Sequence, residues 1–102
     1  MKKPLVTIPV GISSQIKEGI IALVAGESHE VRITKDQNSD RFLIKSGSGC
    51  YLLYCSYKTL DNAFKGAILF LKKSPQSETD IKITINETCV DMVSAKWVNA
   101  IV

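Results

Sequence analysis

The sequence predicts an α+β domain: a mostly antiparallel sheet of three to four strands with two helices packed on one face, in the order (β)-α-β-β-β-α-β-α. Three observations predict this fold. Residues 31–34 and 41–45 alternate apolar and other side chains with the period of a half-buried strand. A third apolar run follows a glycine-rich turn. Residues 60–73 then place apolar side chains at helical spacing.

The composition is that of one ordinary globular domain. The chain has 102 residues, of which 45% are hydrophobic and 23% charged, enough for one core and too few for two. We assign residues 1–102 to a single domain, with a core unit over 12–86 and a closing C-terminal element over 88–102. The net charge is +3, but 11 basic and 6 acidic residues precede position 74, against 2 and 4 after it. The positive charge therefore belongs to the sheet-and-helix unit.

The N-terminal third predicts an edge strand followed by a helix. Prolines at positions 4 and 9 restrict the apolar run 5–10 to an edge strand or an extended lead-in. Ser13 is a suitable N-cap for a helix over 13–25 that ends at Gly26. Ile21 falls on the polar side of this helix. The apolar face of the predicted helix is formed by Ile12, Ile16, Ile20, Leu23 and Val24.

The two alternating runs predict a hairpin closed by the polar segment 36–40. Its short polar side chains favour turns because they hydrogen-bond to their own backbone. Ile33 and Ile44 share the inner face if they are opposite each other, which puts Arg32 opposite Lys45. A slip of one residue would reverse every face assignment.

The next strand is expected over residues 50–57. If Gly47-Ser48 forms a two-residue turn, Lys45 lies opposite Cys50, Leu43 opposite Leu52, and Arg41 opposite Tyr54.

The helix over 60–73 is the most clearly patterned element, with Thr59 as N-cap and Asp61 in the first turn. Its apolar arc includes Phe64 and Leu71. Residues 80–85 alternate as a strand with Lys82 and Thr84 facing outward. Residues 88–102 fit both a helix and an alternating strand, and we favour the helix.

The sequence offers little for catalysis, so we expect no enzyme, no cofactor and no metal. The single histidine, His29, lies between acidic residues before a strand, where surface exposure is the ordinary outcome. Cys55 and Cys89 lie in apolar patterns, where cysteine behaves as a small hydrophobe. No C-x₂₋₄-C pair is present. The odd number of cysteines and the absence of a signal-like leader favour reduced thiols and a cytoplasmic protein without membrane association.

The outward sheet face suggests a nucleic-acid-binding site. Arg32 opposite Lys45 destabilises a strand pair unless an anion intervenes. Basic side chains beside an aromatic ring on an open sheet provide phosphate neutralisation and stacking. The leading hypothesis is a non-catalytic binding module whose site residues are Arg32, Arg41, Lys45, Tyr54 and Lys82.

The same face also fits a protein partner. Leu43 and Leu52, paired in its middle, would form an apolar patch with a charged rim, and Leu69 adds an exposed apolar residue on the later helix. The alternative function is therefore a small accessory or inhibitor protein, of the kind mobile elements encode, that acts by protein–protein binding. Self-association through Ile21, Leu69 or the apolar C-terminus also stays open.

The predicted order helix, three strands, helix over residues 13–73 resembles the double-stranded-RNA-binding module in topology. The chain lacks that family's Gly-Pro-x-His loop. Tyr57-Lys58-Thr59-Leu60-Asp61 stands where the family has Lys-Lys-x-Ala-Lys. We therefore assign the chain to no family.

Overall fold

The chain forms one mixed sheet of six strands with helices. This computed structural model describes residues 8–48, 51–73, 76–99 and 101, and for residues 47, 48 and 51–54 it describes the backbone alone. The elements are β1 Val10–Ser13, β2 Ile20–Ala25, β3 Glu30–Lys35, β4 Phe42–Ser48, β5 Tyr51–Tyr57, α1 Leu60–Lys72, β6 Lys82–Asn86, a 3₁₀ helix Glu87–Met92 and α2 Ala95–Val98.

The strand order across the sheet is β1-β6-β2-β3-β4-β5. β1 pairs with β6 in parallel, and all other neighbours are antiparallel. The α+β class is confirmed, but the sheet has six strands where three to four were predicted. The last strand is inserted between the first two, which alternation along the chain does not reveal.

Helix α1 covers one face of the sheet. It begins as predicted at the N-cap Thr59, whose hydroxyl accepts a hydrogen bond from the Asn62 N–H at 3.1 Å. Phe64 and Leu71 are fully buried, and each contributes about 1.5–3 kcal/mol to folding. They pack in one core cluster with Val31, Ile33, Ile44 and Ile85. Among the described residues, no helix is long and apolar enough to cross a membrane.

The C-terminal segment closes the core beside α1. Trp97 is 1% exposed, and its ring centroid lies 4.9 Å from that of Phe64. Its indole N–H donates to the carboxylate of Asp61 on α1, so the polar end of the buried ring is satisfied. Within the predicted helix 88–102, the described residues are helical only in the 3₁₀ helix Glu87–Met92 and in α2 Ala95–Val98. Ile101 forms a parallel bridge with Val10 and is not helical.

The predicted helix over 13–25 is wrong. β1 ends at Ser13, and residues 20–25 form β2, between β6 and β3. Gly19 has φ +93°, in the region that favours glycine and interrupts a helix. The apolar run of β2 suits a strand covered by neighbours on both sides. A register shift between Ile20 and Ala22 accompanies burial of Ile21, which is therefore a core residue and not an exposed one.

Loss of that helix removes the topological likeness to the double-stranded-RNA-binding module.

The predicted β3–β4 register is correct: Arg32 is opposite Lys45, Ile33 opposite Ile44, and Thr34 opposite Leu43. The turn at its far end also matches the prediction, since Asp36 accepts hydrogen bonds from the Asn38 N–H and the Ser39 hydroxyl.

The predicted β4–β5 register is wrong by four residues. Tyr54 lies opposite Lys45, and Leu43 lies opposite Ser56. The pairing extends to Ser48 opposite Tyr51, so Gly47 and Ser48, the predicted turn, belong to strand β4. Gly49 and Cys50 are outside the described residues. An even shift keeps each register position on its predicted face. The hydrophobic pattern therefore could not distinguish the two registers.

A reciprocal pair of carboxylates joins the β2–β3 turn to the loop before β6. Glu78 is 5% exposed and accepts hydrogen bonds from the backbone N–H groups of Glu27 and Ser28. His29 Nδ1 lies 2.7 Å from its other oxygen. In return, Glu27 Oε1 accepts from the backbone and hydroxyl of Thr79. We call this arrangement of Glu27, Ser28, His29, Glu78 and Thr79 the loop clasp.

Candidate nucleic-acid interface

The sheet face opposite α1 carries the predicted basic residues, and we call it the outer face. It is defined by the residues that alternate with the core positions. In strand order from β6 to β4 these residues are Lys82, Thr84, Leu23, Ala25, Glu30, Arg32, Thr34, Leu43 and Lys45.

Arg32 and Lys45 form the centre of this face. They are directly opposite each other on β3 and β4, and both are exposed. Residues opposite each other in an antiparallel pair have Cβ atoms about 4.5–5.5 Å apart, and like charges there weaken the pairing. The structure thus brings together the two cations on which the hypothesis depends.

A cross-strand row extends from this pair in both directions. Thr84 on β6 is opposite Leu23 on β2, and Leu23 is opposite Arg32. On the other side, Tyr54 on β5 is opposite Lys45. The backbone register therefore places an aromatic residue beside the basic pair. The residue opposite Tyr54 is Lys45, whereas the sequence predicted Arg41.

Lys82 lies on the outer face at some distance from the pair. It is exposed and opposite Ala25, which is in turn opposite Glu30. Two strand spacings and two residues along the strand separate Lys82 from Arg32, or about 12 Å between backbones. Glu30 is exposed two residues before Arg32, so this end of the face carries both signs of charge.

Arg41 is drawn towards β5. Its Nε donates to the Ser56 hydroxyl at 2.9 Å, and its Nη2 donates to the Ser56 carbonyl at 3.4 Å. The side chain is half-buried. The Arg41 guanidinium is therefore partly committed to the protein. The Arg32 side chain, in contrast, makes no ion pair or hydrogen bond among the described residues.

The apolar residues of the alternative hypothesis are not brought together. Leu43 is 8% exposed and lies opposite Ser56, whereas Leu52 lies opposite Gly47. Leu69 is 65% exposed on α1, the helix that packs on the other face. The structure thus removes the predicted Leu43–Leu52 pair and leaves Leu69 as a separate apolar position.

The remaining chemistry-bearing groups do not assemble into a centre in the described residues. Cys55 and Cys89 are half-buried free thiols, and no group of three or more His, Cys, Asp or Glu side chains there could hold a metal ion. His29 belongs to the loop clasp, a partnership that the sequence analysis missed because 49 residues separate it from Glu78.

No protein-family model, curated protein or solved structure matches this chain.

Proposed function

We propose that the protein is a non-catalytic binding module that contacts nucleic acid through the outer face of its sheet. The observation that carries the proposal is the juxtaposition of exposed Arg32 and Lys45 on neighbouring strands. Two cations on neighbouring strands of an exposed sheet can both contact the phosphates of one ligand strand. This position of the two side chains supports an anionic ligand such as a nucleic-acid backbone.

A single-stranded ligand fits this face better than a duplex. Single-strand binding combines basic groups that follow the backbone with aromatic rings on which bases stack. Arg32 and Lys45 supply the first feature, and Tyr54, opposite Lys45 in the register, supplies the second. Lys82 and Arg41 are the outlying contacts, with Glu30 limiting the charge near Lys82.

The test is the salt dependence of single-strand binding, measured by fluorescence anisotropy on a labelled oligonucleotide. Each phosphate contact on a single strand contributes about 0.7 to the slope of log affinity against log salt. The double variant Arg32→Ala, Lys45→Ala should weaken binding and reduce that slope by about 1.4. Substitution of Lys72 and Lys73 by alanine removes the same charge from exposed positions on the helix side and is the matched control.

Equal losses in the two double variants would mean that only net charge matters, and affinity that does not vary with salt would exclude phosphate contacts. Either result contradicts the proposal.

Exposed Leu69 favours a second function, that of a small accessory or inhibitor protein that binds another protein. A leucine that is 65% exposed on α1 would gain hydrophobic free energy if a partner protein covered it. This function requires that Leu69→Asp abolish binding to a purified partner while Arg32→Ala, Lys45→Ala leaves it intact. The opposite pattern would exclude it.

A further inference from the structure

The outer edge of β5 carries backbone groups that no described segment of the chain pairs with. β5 is the last strand in the sheet order. Its seven residues contain no charged residue and no proline. Natural sheets usually protect such an edge with a lysine, a proline, a bulge or a covering segment. An uncharged edge of this length is a template for another strand.

The sequence of β5 favours a second copy of itself as that strand. Tyrosines occupy its first, middle and last positions, Tyr51, Tyr54 and Tyr57. In an antiparallel pairing of two copies centred on Tyr54, this tyrosine meets its own counterpart. Tyr51 of each copy meets Tyr57 of the other. Cross-strand aromatic pairs stabilise antiparallel sheets, and the seven residues of β5 bring no charged side chains that would repel an identical strand.

We propose that the protein self-associates by antiparallel pairing of β5 with β5 of a second copy, about a two-fold axis at Tyr54. Such an interface is isologous and closes at the dimer. The two six-stranded sheets then form one continuous sheet. The two-fold axis is perpendicular to the sheet, so both outer faces lie on the same side.

This pairing would extend the basic row, a consequence that rests on the proposed function. Within one copy the row runs Arg32, Lys45, Tyr54, and across the axis it repeats in reverse order. Neighbouring strands are about 4.8 Å apart, so the two Lys45 positions lie about 14 Å apart and the two Arg32 positions about 24 Å apart. A single strand crossing the axis would meet a tyrosine from each copy between the basic pairs.

One contact of the free chain competes with the pairing. Arg41 Nη2 donates to the Ser56 carbonyl on β5 at 3.4 Å. That distance is beyond the usual range for N–H···O hydrogen bonds, about 2.7–3.2 Å, and the site is exposed. A backbone N–H from the second copy would therefore replace it with a better hydrogen bond.

The interface is small, so the dimer should be weak. One strand pair of seven residues falls below about 1,200 Å² of buried surface, the range of transient complexes, and we expect a Kd on the order of 10–100 µM. The dimer should therefore be visible by sedimentation equilibrium over a concentration series that spans this range.

The decisive variants place a charge at the two-fold axis. Tyr54→Glu puts two carboxylates opposite each other across the axis, so the dimer Kd should rise about tenfold or more. Within each copy the same carboxylate lies opposite Lys45, which favours the fold, and circular dichroism and thermal unfolding verify that it is intact. Tyr54→Lys should be monomeric alone and should form a heterodimer when mixed with Tyr54→Glu.

Met92→Glu is the matched control, because it adds the same charge at an exposed apolar residue outside β5, and it should leave the Kd unchanged. A monomer at every concentration overturns the proposal. So does a dimer that Leu69→Glu dissociates but Tyr54→Glu does not, because the helix would then form the contact. All measurements are made without nucleic acid, so their failure leaves the proposed function standing.

Discussion

The two edges of the sheet are finished in different ways. At one end, β1 has four residues, follows Pro9, and is bridged at Val10 by Ile101 from the C-terminus. At the other end, β5 has seven uncharged residues with no described segment beside them. The chain therefore covers one edge of the sheet with its own C-terminal segment, whereas no described segment pairs with the other edge.

Long-range polar contacts hold the loop before β6 and the C-terminal segment against the rest of the fold. The loop clasp fixes the approach to β6 through Glu27 and Glu78, and Asp61 receives hydrogen bonds or ion pairs from Trp97 and Lys96. Burial raises the pKa of Asp61, but the contacts from Lys96 and Trp97 outweigh it and lower the pKa overall. The C-terminal segment is thereby held against α1.

The largest effect should come from Trp97→Ala, which disturbs the covered edge of the sheet. Removal of this fully buried ring, packed on Phe64, should lower the free energy of unfolding by about 3–5 kcal/mol. Urea denaturation measures this loss. Hydrogen exchange should accelerate in β1 more than in β5, because Ile101 loses its anchor. Comparable acceleration in both edge strands would show that the C-terminal segment does not protect β1 selectively.

An intermediate effect is expected from Gly26→Ala, which disturbs the loop clasp. A Cβ at position 26 would lie 2.6 Å from Glu78 Oε1 and 2.7 Å from Glu78 Cβ. The resulting overpacking should cost about 1–3 kcal/mol in thermal or urea unfolding. Gly11→Ala on β1 is the control, because its Cβ would meet nothing within 4 Å, and it should be neutral or slightly stabilising. Equal losses for the two variants would contradict the role of the close Gly26–Glu78 contact.

The smallest expected effect is a change in how the stability of the protein depends on pH in the acidic range. The pKa of Glu78 is lowered in the folded protein, first by the hydrogen bond with His29 and then by that from the Ser28 N–H. The stability it contributes is therefore present above the unfolded pKa and is lost as the pH falls through the folded pKa. At pH values below the unfolded pKa of glutamate, Glu78→Gln should reduce the slope of the unfolding free energy against pH by up to the equivalent of one bound proton.

Urea midpoints measured at several pH values give that slope. Glu27 also has a lowered pKa, because the backbone N–H and the hydroxyl of Thr79 donate to it, so some acid sensitivity should persist in the variant. An unchanged slope would mean that Glu78 does not titrate differently in the two states.

The elements that sequence predicted well are those specified by local patterns. Helix α1 and its Thr59 cap follow from residues within one or two turns of each other, and the β3–β4 register follows from two alternating runs with a polar turn between them. Because this register is correct, the two central residues of the candidate site, Arg32 and Lys45, are opposite each other as predicted.

The errors arose where local patterns permit two answers. Residues 12–24 have apolar positions at helical spacing, yet β2 is stabilised by neighbours that come from distant parts of the chain. The run Ser46-Gly47-Ser48-Gly49 allows more than one turn, so the partner of Lys45 was misassigned. The loop clasp joins residues about 50 positions apart, and no local signal announces it.

The central position of β6 has a consequence for how the chain folds during synthesis. Strands β2 to β5 pair with sequence neighbours, but β1 finds its strand partner only in β6. Until the residues up to 86 have left the ribosome, β1 has no strand to pair with and one edge of β2 is unpaired. β1 of the nascent chain therefore waits for a strand that begins at residue 82, a topology that slows folding and prolongs exposure of an aggregation-prone strand.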